Sequence, residues 1–191
     1  MKNIAESVYI LYEIEKLRKE RERLLIAIDG RCAAGKTTYA AHLQEAYGCN
    51  VIHMDDFYLR QEQRTIQRLN EPGGNVDYER FLEEALIPLS QGQAFSYRPY
   101  NCHTRKMLEP IRIKPHSINI IEGAYSCHPA LKDYYDLRIF MSVEAKEQLK
   151  RIRQRSGEAR AVDFIDKWIP LEEQYISFCH VRENSDLLYT T

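Results

Sequence analysis

The sequence has no excess of charge of either sign. Its 27 lysines and arginines face 28 aspartates and glutamates, a formal charge of −1. Such a chain has no overall positive field to hold a nucleic-acid backbone or an anionic membrane, so neither is expected as a partner. It also lacks any apolar run approaching the roughly 20 residues that a membrane span requires. Paired cysteines are missing: Cys32, Cys49, Cys102, Cys127 and Cys179 are scattered, odd in number and never in CxxC spacing. This argues against a disulfide framework or zinc knuckle and fits a reducing, cytoplasmic compartment. Glu6 and Glu13 interrupt the apolar residues at the start of the chain and no small-residue cleavage site follows, so no secretory leader is expected. Internal repeats and low-complexity segments are absent as well.

Hydrophobic residues make up 44 % of the 191 positions, a normal core for one globular domain, and a single domain over 1–191 is expected. It opens with a helix within residues 1–23. Ile4, Val8, Leu11, Ile14 and Leu17 recur at helical spacing, a stripe suited to packing on the domain or on a second subunit of a homo-oligomer. Residues 24–28 then form a continuous apolar run, as in a strand buried on both faces. A glycine-bearing loop, a helix over 36–47 and a short strand over 50–53 follow. Residues 60–76 read as a long polar loop, 78–89 as a helix, and 94–100 with 107–114 as two extended segments around a turn. Residues 117–121 and 137–143 read as buried strands, 144–155 as a helix, and a bend near Gly157 leads to a helix ending near Phe178. Residues 187–189 add a last strand. Strands alternating with helices predict an α/β domain whose sheet is mainly parallel, with ligands at the carboxyl ends of its strands.

The chemistry-bearing motifs fall at those ends. Gly30, Arg31, Cys32, Ala33, Ala34, Gly35, Lys36 and Thr37, followed by Thr38, match GxxxxGK[ST] between a strand and a helix. Glycines let successive backbone N–H groups face a phosphate, and the helix N-terminus adds positive potential. Lys36 can reach the β- and γ-phosphates of ATP, and the Thr37 hydroxyl can bind Mg²⁺. His53-Met54-Asp55-Asp56-Phe57-Tyr58 closes the next strand. One of its carboxylates can accept a hydroxyl proton and the other can hold Mg²⁺ through water, or both can simply cap a turn. Glu122 closes the 117–121 strand, where an acid can stand near Mg²⁺. Arg151 and Arg155 share a helix face, with Arg153 and Arg160 nearby, and guanidinium groups stabilise a transferring phosphoryl group. Tyr97 to His103, with Asp77, Tyr78 and Arg80, carry aromatic, amide and imidazole groups suited to a ring and a ribose, or to a partly buried hairpin.

Taken together, GRCAAGKTT, MDDFY, PYNCHTRK, IIEG and the arginine-bearing helix resemble the uridine kinase and phosphoribulokinase group of P-loop kinases, over most of the chain from Leu24 to Tyr189. The resemblance implies a P-loop NTPase fold with a five-stranded parallel sheet flanked by helices, and ATP with Mg²⁺. It also implies a nucleoside-like acceptor phosphorylated on its 5′-hydroxyl. Asp55 matches the family's catalytic aspartate. Tyr58, Tyr100 and His103 match acceptor-contacting positions, and Arg151 and Arg155 match arginines beside the lid. Lys36, Asp55, Arg151 and Arg155 are thus the catalytic candidates. Asp56, Tyr58, Asp77, Arg80, Tyr100 and His103 are the acceptor candidates, and Thr37, Asp55 and Glu122 the metal candidates. Residues 151–168 are the expected lid. The chain departs from the family in three places. Arg80 lies close to where an acid for the ribose is expected, the lid reads SGEARAVDFIDKW without an arginine-glycine-arginine run, and the N-terminal helix is extra. Another acceptor (a sugar, a pantothenate-like molecule or a nucleoside monophosphate) and a catalytically idle nucleotide-binding regulator are the competing readings. A guanine-reading Asn-Lys-x-Asp segment is missing, which disfavours a GTPase.

Overall fold

Two runs of leucine, isoleucine and alanine, LLIAIDG and INIIE, become the two innermost strands because neither offers a polar face to water. In the computed structural model, which describes residues 2–191, these are β1 (Leu24–Gly30) and β7 (Ile118–Glu122). They pair in parallel with Ile28 opposite Glu122. β2 (Asn50–His53) flanks β7, and β8 (Leu137–Ser142) and β9 (Leu187–Thr190) extend the other side. The sheet is wholly parallel, in the order β2-β7-β1-β8-β9.

The two-residue period of β1 divides the core. Leu24, Ile26 and Ile28 face one side with Ile120 and Ile139, and there α1 (Lys2–Glu20) and α2 (Lys36–Tyr47) bury Ile10, Ile14, Ala40 and Leu43. Leu25 and Ala27 face the other side with Ile52, Ile121 and Phe140. That side is covered by Phe81 of α4 (Tyr78–Phe81), by Leu89 of α5 (Ile87–Ser90) and by Tyr175 and Ile176 of α8 (Ile169–Phe178). π-type turns link α4 to α5 over Leu82–Leu86 and lead into α8 over Phe164–Trp168. Each precedes a helix with proline at its second residue, Pro88 or Pro170, which cannot donate to the preceding turn.

Three local differences from the sequence reading have physical causes. The loop expected over 60–76 contains a 3₁₀ turn, Gln61–Gln63, and the short helix α3 (Ile66–Asn70), started by the Thr65 side chain accepting from the Arg68 amide. The hairpin is two ribbons: β3 (Phe95–Tyr97) with β6 (Ile111–Ile113), and β4 (Tyr100–Asn101) with β5 (Lys106–Met107). On α1 the buried face is Ile10 and Ile14, with Leu11 and Leu17 against them, whereas Ile4 and Val8 are 70 % and 59 % exposed. The expected stripe is therefore rotated, because Ile10 also lies four residues before Ile14 and takes the place facing the sheet.

Ile14→Ala should accordingly cost about 2–4 kcal/mol by leaving a cavity, and Val8→Ala should change stability by less than about 0.5 kcal/mol. Urea unfolding of both variants checks this. Equal losses would contradict the docking face.

Candidate functional site

The cleft of about 800 Å³ at the carboxyl ends of the strands is lined by residues 32–38 together with Asp55, Tyr58, Glu122, Arg151, Arg155 and Glu172. Its floor is the glycine loop. Gly30 holds φ +127°, and a Cβ there would meet the Met141 carbonyl oxygen at 1.9 Å, so β1 can pass β8 only with glycine at this point. Ala33 (φ 59°) and Gly35 (φ 86°) also turn left-handed. Consequently the amides of Ala33, Gly35, Lys36 and Thr37 make no hydrogen bond within the chain among the described residues, and they stand at the start of α2. Unsatisfied N–H groups at a helix start are an anion cradle. Lys36 folds over the loop, donating to the carbonyls of Gly30 (2.7 Å) and Arg31 (3.0 Å).

Side chains from the surrounding elements hold this loop. Beneath it the buried Asp29 carboxylate accepts from the amides of Gly30, Tyr125 and Cys127 and from the Tyr175 hydroxyl. Burial raises its pKa, opposed by the Cys127 amide, Lys36, the Gly30 amide and Tyr175. Arg31 turns away from the cradle: its guanidinium grips Glu173 at 2.5 and 2.9 Å and donates to Ser142. Its own amide donates to the Met141 carbonyl (3.0 Å), so the candidate Arg31 turns neither its charge nor its N–H to the cradle. The Cys32 amide donates to Glu172 (2.8 Å), while Gln148 of α6 (Ala145–Ser156) donates to the Cys32 carbonyl (3.0 Å). Arg151 donates to the Ala33 carbonyl and to Thr191, which in turn donates to the Ala34 carbonyl.

The acidic candidates arrive from neighbouring strand ends. Register places His53 directly beside Glu122. The Glu122 carboxylate accepts from Thr37 at 3.2 Å and sits 2.5 Å from His53 Nδ1, and this hydrogen bond raises the histidine pKa. Asp55 and Asp56 do not lie on an extended segment but on a 3₁₀ turn, Met54–Phe57. The turn still separates them. Asp55 faces the cleft and accepts from the Tyr58 hydroxyl (3.1 Å), while Asp56 accepts from Tyr97 (2.9 Å) outside it. Surrounding protein raises the pKa of Asp55, Glu122 adds to this, and Tyr58, Lys36 and His53 oppose it.

Other candidates lie outside the cleft lining. Asp77 is buried, caps α4 through the Arg80 amide and accepts from Gln63 (2.6 Å). Arg80 stacks over Phe57 and donates to the carbonyls of Asp56 and Arg98. Both shore up the wall behind Asp56. Tyr100 is buried in β4, and His103 sits on the ribbon tip with its ring 3.4 Å from Arg160. Arg151 and Arg155 line the cleft, while Arg153 pairs with Glu158 on the outside. Sequence reasoning missed Asp29 and Glu172 as parts of the site, and named His53 within its motif without giving it a role. An acid ending an otherwise apolar strand marks Asp29; nothing local marks Glu172, which is brought in from a distant helix.

The set suits a nucleoside triphosphate. Free amides and Lys36 match phosphate oxygens, Thr37 and Glu122 offer hydroxyl and carboxylate donors for Mg²⁺, which keeps few protein ligands, and Asp55 stands where an acceptor hydroxyl could enter. The comparisons point the same way. The sequence model described as "Phosphoribulokinase / Uridine kinase family" matches residues 25–180. The chain is 28 % identical over 148 residues to a uridine kinase of Alkaliphilus metalliredigens (strain QYMF), covering 72 % of this chain and 70 % of that one. It is 25 % identical over 185 residues to a uridine kinase of Chlamydia pneumoniae, covering 86 % and 80 %. A solved structure described as a possible uridine kinase from Bacillus stearothermophilus has the same fold, with TM-score 0.73, 18 % identity and coverage of 99 % and 100 %. Among the described residues no helix is long and apolar enough to cross a membrane.

In the turns after β7, outside the cleft lining, His128 is a titratable group whose surroundings link stability to pH. His128 stacks on Tyr78 at 3.9 Å and its Nδ1 accepts from the Ala130 amide. Burial, with Arg68 nearby, lowers its pKa from 6.5 to about 4. Between these values the unfolded chain binds a proton that the folded protein refuses, so stability falls as pH drops through that window. The loss is at most about 3 kcal/mol. In urea melts from pH 7 to pH 4, His128→Phe should flatten that slope. Parallel curves for variant and parent would count against it.

Proposed function

The chain belongs to the phosphoribulokinase and uridine kinase family, and on that premise we propose that this P-loop kinase transfers the γ-phosphate of ATP to a hydroxyl of a nucleoside-like acceptor. The observation that carries the reading is the meeting of the amide cradle, Lys36, Asp55 and Arg155 in one cleft. The free amides of Ala33, Gly35, Lys36 and Thr37 bind phosphate oxygens. Lys36 exchanges its two carbonyl partners for the phosphate chain, trading neutral acceptors for charged ones. Thr37 and Glu122 would hold Mg²⁺, which supplies positive charge to the phosphates. Asp55 accepts the acceptor's hydroxyl proton, and Tyr58 orients that carboxylate. The free thiols among the described residues support a cytoplasmic setting.

Residues 151–168 act as the lid in this reading. Gly157, at φ 80° with open space around it, separates α6 from α7 (Glu158–Asp163) and allows the arginines to move. Arg155 lines the cleft and stacks on Phe164, so closure brings its charge to the transferring group while excluding water.

A coupled ATP-consumption assay over nucleosides, nucleoside monophosphates, sugars and pantothenate tests the function. Turnover with a nucleoside is expected, and turnover only with another class would replace the acceptor. Asp55→Asn should lower the rate by about 10²–10⁴, whereas Asp56→Asn should be far milder; the reverse order would move the base to Asp56.

For the lid, amide exchange over residues 151–168 should slow only when MgATP and acceptor are bound together. Arg155→Ala should lower kcat by roughly 10² with little change in ATP affinity. Unchanged exchange with normal turnover would remove the lid.

A further inference from the structure

We propose that Glu172 sets the affinity of the nucleotide cleft: its carboxylate occupies the first amide of the phosphate cradle and takes up a proton as the triphosphate enters. The inference rests on the ATP reading above and concerns a residue that α8 contributes from 140 positions further along the chain. Glu172 lines the same cleft as Lys36, Thr37 and Asp55, is 8 % exposed, and accepts the Cys32 N–H at 2.8 Å. The amides that follow, at Ala33, Gly35, Lys36 and Thr37, are free. The amide next to these free donors is therefore already held by a carboxyl group of the protein.

Its neighbour shows by contrast what this arrangement lacks. Glu173 is neutralised by the bidentate Arg31. Glu172 has no ion pair among the described residues, and the Lys36 ammonium turns to the Gly30 and Arg31 carbonyls instead. The groups facing Glu172 are Lys36 from α2, Cys32 from the loop, Asp29 from β1, Tyr125 from the turn after β7 and Tyr58 from the segment after β2. Arg151 and Arg155 of α6 line the cleft with it. Burial raises the Glu172 pKa, Lys36 and the Cys32 bonds oppose this, and Asp29 adds to it. A triphosphate brings several further negative charges close to this carboxylate. Like charges disfavour the ionised acid, so its proton affinity rises on binding. By linkage, nucleotide then binds more tightly at lower pH.

Support of the loop can be separated from charge. Gln148 already fixes the Cys32 peptide through its carbonyl. Glu172→Gln keeps shape and an acceptor for the Cys32 N–H but removes the ionisable group, whereas Glu172→Ala removes both. MgATP affinity of the parent and both variants would be measured by calorimetry between pH 6 and pH 8, with thermal melts confirming folding. At pH 8 Glu172→Gln should bind MgATP on the order of tenfold or more tightly than the parent, and the gap should narrow towards pH 6. Glu172→Ala should also bind more tightly at pH 8, and it carries the test if the glutamine variant does not fold. Parent-like or weaker binding by Glu172→Gln would overturn the proposal, as would a loss confined to Glu172→Ala, which marks a mere support. Failure of all three proteins to bind MgATP would sink the ATP reading itself and this proposal with it. Unchanged affinity among proteins that do bind would sink only the latter.

Discussion

The Asp29 carboxylate lies under the glycine loop and accepts bonds from three amides and one tyrosine hydroxyl. Through them it joins β1, the turn after β7 and α8, three parts of the chain far apart in sequence. A buried charge is tolerable only when its acceptor capacity is filled, so each donor is held in place as firmly as the acid. The Gly30 amide is one of those donors, and the loop therefore leaves β1 in a set direction. Close passage against Met141 sets the same direction sterically. The cradle's open amides follow from both constraints.

Around the cleft proposed to receive a triphosphate the protein arranges four carboxyl groups, at Asp29, Asp55, Glu122 and Glu172. Their surroundings give each a separate condition. Asp29 is saturated with donors, Glu122 is held between Thr37 and His53, Asp55 has the tyrosine hydroxyl, and Glu172 has a single backbone N–H. Acids that share a small space interact, and only the differences between their partners let one serve as a proton acceptor while another stays ionised. Lys36, the amide dipoles and the two cleft-facing arginines supply the opposing charge.

The loop is tied to the helices that flank the expected lid. Gln148 and Arg151 come from α6, and Glu172 and Glu173 come from α8; together they contact the peptides or side chains of residues 31–33. The segment between those helices holds Gly157 and Arg160, while Arg151 and Arg155 of the proposed lid lie on α6 itself. Any motion of α6 or α8 would therefore be felt in the cradle, since hydrogen-bonded peptides follow their partners.

Much of this was legible in the order of residues. The apolar runs declared the inner strands, because a strand buried on both faces cannot carry alternating polarity. The glycine loop with Lys36 and Thr37 was readable because backbone-directed phosphate binding needs a contiguous segment of defined turns. Asp55, on the turn just past β2, and Glu122, at the end of β7, were readable as candidates because a parallel sheet collects its ligands at its strand ends. What only the tertiary structure decided were the partnerships. Arg31 turned outward to Glu173, Asp77 and Arg80 became supports behind Asp56, the α1 stripe rotated to Ile10 and Ile14, and Glu172 entered the cleft from α8. The polar ones depend on which distant group lies within about 3 Å, the reach of a hydrogen bond, and the α1 face on which apolar side chains it meets. Local pattern reports the conformation of a segment, but the neighbours of its side chains are set by how the helices cross the sheet.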